Sequence, residues 1–389
     1  DPHLRTPYVY QYNLSLQRNL FADMVLETNY VGSSSHGLTS LKDINPMVLS
    51  PAVPGTTNRA FDSSCFECFG QLPEFQNVSN ANYNALEASL TRQPKSSKLG
   101  TAYYTFAYTY GHNLDNASGF AQRNSQVTAY SPHLFYASGD SDVRQRISFS
   151  GGWDLPFDRM WATGPKRLTR GWSVYPIVTW RTGFPFDIPA GLGDTTDPAN
   201  PGTSGAGDPV LSRAAVVAPI RMLDPRRVTT IVPTIYGSVP NANPNLPPVC
   251  QISTGTPISG HFIFDPNSFS NIPLQNNAYY EGDNPCFPQL DPVDNPGDRT
   301  YGLARNVLRG PHLTNLDVAV AKTTAITESV GLEFRVEFFN ALNHPEFAQP
   351  TVLDGATNIN GATFGQITTT GSFRGAAPRI GQLAVRITF

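Results

Sequence analysis

Residues Gly331 to Asn340 read Gly-Leu-Glu-Phe-Arg-Val-Glu-Phe-Phe-Asn, with Leu332, Phe334, Val336 and Phe338 on one parity and Glu333, Arg335 and Glu337 on the other. A period of two predicts a strand with one apolar and one charged face. The same period recurs along the chain. Tyr10, Tyr12, Leu14 and Leu16 alternate with Gln11, Asn13, Ser15 and Gln17; Met24, Leu26, Thr28 and Tyr30 alternate with Val25, Glu27 and Asn29. Strands are further predicted at Tyr83 to Arg92 and at Leu99 to Tyr110, where Tyr104, Phe106, Tyr108 and Tyr110 share a face. A fifth has Ile147, Phe149, Trp153 and Leu155 opposing Arg146, Ser148, Ser150 and Asp154, and a sixth covers Trp172 to Arg181. Leu316, Val318 and Val320, the strand at Gly331, and Leu383, Val385, Ile387 and Phe389 bring the expected total to about nine.

The connections alternate as well. Those at 18–23, 93–98, 157–170 and 323–330 are short or medium, whereas 33–82, 111–142, 182–310 and 342–378 are long and rich in Pro, Gly, Asn and Ser. This predicts an all-β chain, an antiparallel up-and-down outer-membrane-type β-barrel segment with short periplasmic turns and long extracellular loops. A soluble carbohydrate-binding sandwich is the competing reading, since one strand can put its apolar face against a core as well as against lipid. It has no reason to gather its long loops at one end. Trp153, Trp161 and Trp172 surround one short connection, where they suit either an interfacial girdle or a core.

Composition changes this little. The chain of 389 residues has 15% charged residues, a net charge of −3, 23 Phe and 16 Tyr. It is too apolar and aromatic for a disordered tail, and its near-neutral balance argues against nucleic acid as a partner. No run of about eighteen apolar residues exists, which excludes helical spans and is silent about strands. The chain starts at Asp1 without a basic-then-apolar leader, as a mature form or a fragment would.

Four segments resemble a known family: Asn82 to Arg92, Asp142 to Pro156, Arg305-Asn-Val-Leu-Arg-Gly-Pro311, and Phe334 to Pro345 with its Phe-Phe-Asn-Ala-Leu-Asn-His-Pro ending. Together they are similar to the C-terminal barrel portion of TonB-dependent outer-membrane receptors, in particular the large ones with a carboxypeptidase-regulatory-like N-terminal domain. The resemblance implies that residues 1–389 are the C-terminal part of a transmembrane barrel in the bacterial outer membrane, taking up scarce solutes such as metal chelates, cobalamin or glycans. It makes TonB and outer-membrane lipid the partners, and Phe389 a signal for barrel assembly. Such receptors have a plug and about 22 strands, and about nine are expected here. The open first and last strands then pair either with a missing N-terminal barrel and plug portion or with further copies of the same chain. The second option makes the alternative function a self-assembling β-rich fragment, an oligomeric barrel, tube or filament acting outside the cell.

Candidate chemistry is sparse. Cys65, Cys68, Cys250 and Cys286 fall in expected extracellular loops, where an even count favours disulfides; four cysteines allow three pairings, and the preferred one joins Cys65 to Cys68 and Cys250 to Cys286. A zinc site is disfavoured because the second pair lacks close spacing. The seven histidines show no metal or catalytic spacing, His344 is assigned to a turn, and no nucleophile elbow or phosphate loop occurs, so an enzyme is not expected. Asp291, Asp294 and Asp298 could gather calcium but lack EF-hand spacing, so no cofactor is expected. Asp317, Glu333, Arg335, Glu337 and Arg386 share the wet parity and are expected to face the lumen as a cross-strand ion-pair ladder.

Overall fold

The computed structural model describes residues 1–45, 47–49, 57–59, 61, 72–118, 126–127, 136–188, 214–244, 246, 249–270, 286, 305–351, 355–359, 361–371 and 378–389. Nine long strands form one sheet: β1 (Tyr8–Asn19), β2 (Met24–Asp43), β3 (Pro73–Ser97), β4 (Gly100–Asp115), β5 (Gln145–Asp154), β6 (Trp172–Arg181), β7 (Leu313–Ala325), β8 (Gly331–Phe339) and β9 (Ile380–Thr388). Each pairs antiparallel with the next in sequence. Consequently the connections fall alternately at the two ends of the sheet, and every long one falls at the same end.

Register explains why the two parities matter. One row runs Leu26, Leu90, Phe106, Phe149, Val178 and Leu316 across six strands, and a second row on the same face runs Trp153, Val174, Val320, Val336 and Leu383. On the other face Asn29, Glu87, Thr109, Arg146 and Arg181 lie opposite one another in the same manner. A slip of one residue at any pairing would drive a charged side chain into the apolar band, so the alternation itself pins the register. Small residues occupy part of the polar face: Ala319 and Ala321 oppose Glu337 and Arg335 and are buried beneath them.

The strands run further than the hydrophobic alternation predicts. β2 and β3 continue to Asp43 and from Pro73, well inside the segment expected as loop 33–82, and β4 runs to Asp115. At about 3.3 Å per residue, the 25 residues of β3 span about 80 Å, against the roughly 9–11 residues that cross a bilayer. The surplus is a polar ladder beyond the apolar band. There Asn77 donates from Nδ2 to the Gly37 carbonyl at 2.6 Å, and the Asn80 amide donates to Asn116 Oδ1 at 2.8 Å. Gly37 has φ 62 where the register shifts between Ser35 and Leu38, the left-handed backbone that a bulge of this kind assigns to glycine.

At the other end the connections are tight. β3 turns into β4 through Lys98 and Leu99 alone. Gly100 follows with φ 96, and a Cβ there would lie 2.1 Å from the Asp154 carbonyl, so the close approach of β5 requires glycine. Two four-residue helices, α1 (Phe157–Met160) and α2 (Lys166–Thr169), fill the link between β5 and β6.

Candidate ligand site at the long rim

Among the described residues the buried apolar cluster lies in the loops, not on the sheet. Phe186, Ile188, Phe264, Phe269, Leu308 and Ile367 pack together, with Phe264 in edge-to-face contact with Phe269 and Phe364 at 5.2 Å. Short ladders frame them: Pro185–Phe186 with Leu308–Arg309, Ala215–Val216 with Phe269–Ser270, and Thr229–Ile231 with Ile258–Gly260. The described part of the 182–310 connection is thus built from short strands. It carries no long alternation because its strands are only two to six residues long, too short for a period to register. Burying a large apolar side chain contributes about 1.5–3 kcal/mol, and the ring of phenylalanines supplies what a loop without such a core lacks.

Two arginines, Arg305 buried and Arg309 partly buried, fasten this cap to the sheet. Arg305, 4% exposed, donates to the Asp115 carbonyl at 2.9 Å, to Asp115 Oδ1 at 2.6 Å and to Asp140 Oδ1 at 3.1 Å. Arg309 donates to the Asp142 carbonyl at 2.9 Å and also to its carboxylate, which Arg144 and the Asn113 amide engage as well, at 2.9 and 2.7 Å. Asn306, with φ 56, sits between them and donates to Asp140 Oδ1 and to the Ser138 carbonyl. The stretch Arg305 to Pro311 is therefore a clasp between the end of β4, the β4–β5 connection and the strand leading to β7. Asn340 and Asn343, also left-handed, play the matching part after β8: the Asn340 amide donates to Asp317 Oδ1 at 2.9 Å, and Asn343 Oδ1 accepts from the Arg379 amide at 3.0 Å. Short polar side chains that tolerate this backbone explain the choice of Asn.

Between the clasp, the cap and the 344–347 turn lies a cavity of about 360 Å³. Its polar lining includes Asp224, Arg226, His312, His344 and Glu346, and its apolar walls include Met222, Ile263 and Phe347. Glu346 is 7% exposed, and its Oε1 accepts from the Thr314 amide at 2.9 Å. Burial raises its carboxyl above the ordinary value, against the opposing pull of the Thr314 bond and of the Arg181, Arg226 and His344 charges. His312 is displaced the other way, chiefly by burial and then by the adjacent Arg226. Arg226 donates to His312 Nε2; a guanidinium only donates, so His312 must carry its proton on Nδ1 when neutral. A concave site of this volume, apolar with a few convergent polar groups, is the form small-ligand sites take.

The residues singled out in the sequence are placed as follows. Asp317, Glu333, Arg335, Glu337 and Arg386 share the polar face, with Glu333 opposite Arg386. The pair that closes, Arg335 to Glu337 at 2.7 Å, runs along β8 and not across strands, while the Arg335 guanidinium lies 5.3 Å from the Tyr175 ring centroid. Cys250 and Cys286 are bonded, at 2.14 Å; closing a loop of 36 residues removes roughly 4 kcal/mol of unfolded-chain freedom in the chain-entropy account. Cys65, Cys68, Asp291, Asp294 and Asp298 lie outside the described residues. Phe389 stands fully exposed beyond β9. Trp153 and Trp161 are exposed at the short rim and form no core, and Trp153 and Trp172 donate to the Leu99 and Leu168 carbonyls at 2.8 and 2.7 Å. His344 does hold a turn, exchanging backbone bonds with the Asn340 side chain at 2.9 and 3.1 Å, and it also lines the cavity. Arg226, His312 and Glu346 escaped notice; the one sequence signal near them is the run Phe262-Ile263-Phe264 between Gly260 and Pro266, too apolar for an exposed loop.

No curated protein matches the chain. A solved structure, the outer membrane transporter YddB from Escherichia coli, superposes with a TM-score of 0.43 at 11% identity, covering 100% of this chain and 33% of that one. The chain thus spans about a third of that transporter's length. Residues 1–382 match the family described as outer membrane beta barrel domain, with the split faces and alternating connections that such a barrel requires. The chain belongs to the outer membrane beta barrel domain family.

Proposed function

We propose that the chain is barrel and loop structure of a TonB-dependent outer-membrane receptor, and that the long rim faces outward and captures a scarce solute. One observation carries the reading: the longest connections fold into a packed cap, and a cavity lies between that cap and the start of β7 at Thr314. A rim that served only to link strands would need neither a phenylalanine core nor two arginine clasps. Loops held on a rigid scaffold are where binding residues concentrate. In this reading the apolar face meets lipid, and Arg181, Glu333, Arg335 and Glu337 line the wet path below the cap.

Uptake by cells carrying the full receptor tests this. Labelled cobalamin, a ferric chelate and an oligosaccharide are offered with and without TonB, and again after removal of residues 182–310. TonB-dependent entry of one solute, lost with the cap, is the expected outcome. Entry that persists without TonB would dismiss the receptor reading, and entry that survives loss of the cap would remove the cap from the mechanism.

A further inference from the structure

The connection between β5 and β6, residues 155–171, holds four basic side chains, Arg159, Lys166, Arg167 and Arg170, and one acidic side chain, Asp158. Asp158 is taken by Arg170 at 3.0 Å, so the surplus positive charge rests on the other three. The same connection exposes Met160 by 77%, Leu168 by 65% and Trp161 by 58%. It is not loosely held: Arg159 donates to the Ser97 carbonyl at 2.5 Å, and Trp172 donates to the Leu168 carbonyl at 2.7 Å. Phe157 meets the Trp172 ring edge-on at 6.4 Å. Trp172 belongs to the apolar parity of β6, opposite Lys322, so this surface continues the lipid-facing band past the end of the sheet.

Greasy side chains held in the open beside cations that no carboxylate neutralises among the described residues describe a segment lying at a bilayer surface, where tryptophan settles at headgroup level and basic residues meet anionic lipid. We propose that residues 155–171 dock anionic phospholipid at the short rim. Headgroup phosphates sit among Arg159, Lys166 and Arg167, while Met160, Trp161 and Leu168 enter the boundary with the acyl chains. The site needs only that the apolar face meets lipid; it does not depend on which solute, if any, the long rim captures.

Native mass spectrometry of the whole chain, folded in detergent and titrated with phosphatidylglycerol or phosphatidylethanolamine, tests it. Phosphatidylglycerol should be retained at least tenfold more tightly. Lys166→Gln with Arg167→Gln should weaken that retention by roughly 25-fold, at about fivefold per charge, whereas Arg227→Gln at the long rim should not alter it. Inorganic phosphate at the same concentration should not displace the lipid. Equal retention of the two lipids, an unchanged affinity in the double variant, or displacement by inorganic phosphate overturns the proposal. All three substituted residues are exposed, so folding is not at stake.

Discussion

Replacing Arg305 by alanine should open the long-rim cap and leave the nine long strands of the sheet intact. The guanidinium is 4% exposed and engages the Asp115 carbonyl, the Asp115 carboxylate and Asp140. Asp115 is itself buried, so the variant strands a carboxylate out of water. Removing one partner of a buried pair costs about 3–5 kcal/mol. Asp140 is 44% exposed, and its share is small because solvent screens it. The loss acts on contacts between cap and sheet, so it should appear as local opening, not global unfolding. Hydrogen exchange is the direct assay: amides of 214–217 and 262–269 should lose protection by a factor of roughly 10²–10⁴, with those of β5 to β7 unchanged. A double variant that also carries Asp115→Asn should recover part of the loss. Cap amides that keep their protection in Arg305→Ala would refute the claim that this arginine clasps the cap, and equal loss across the sheet would refute the claim that cap and sheet open separately.

Two further outcomes follow from the faces and the cavity. Phe149→Arg places a charge in the apolar row and should cost about 2–4 kcal/mol of stability in lipid, while Ser148→Arg, one residue away on the polar face, should cost far less; urea titration of the folded band in vesicles measures both, and equal losses would remove the assignment of faces. Glu346 has a folded pKa above the ordinary 4.5, so the folded cap binds more protons than the open one, and its stability falls as pH rises through the interval above 4.5 up to the raised value. Glu346→Gln should flatten that slope in hydrogen exchange of the cap, and an unaltered slope would show that another group titrates there.

The sheet was legible because it obeys a period of two under a strong selection: every apolar residue on the wrong parity would face water. Hence Phe106, Phe149 and Val336 share one face of the sheet, as their spacing predicts. Legibility stopped where that selection stops. The upper parts of β2 and β3 are mostly polar, with Leu41 opposite Phe75 an exception, and Asn77 and Asn80 there hold the ladder with side-chain bonds that leave no periodic trace. The cap failed for a different reason. Phe186, Phe264, Leu308 and Ile367 meet only through long-range packing, and nothing in the local order of Pro, Gly and Asn announces it. Glu346 and His312 were hidden with it, since a cavity between three connections exists only once those connections are folded. Of the two arginine clasps, the segment from Arg305 to Pro311 did stand out in the sequence by resemblance, without the reason its residues are needed.

The odd number of long strands among the described residues sets a rule of direction for any closure of the ring. β1 descends from the long rim, and so does β9, because eight reversals separate them. Bringing these two margins together, within one molecule or between molecules inserted the same way up, would create a side-by-side seam in an otherwise alternating wall. A wholly alternating closure instead requires an odd number of additional strands between the margins. Like margins of two molecules can alternate only if one is inserted upside down, which would send their caps to opposite sides of the membrane.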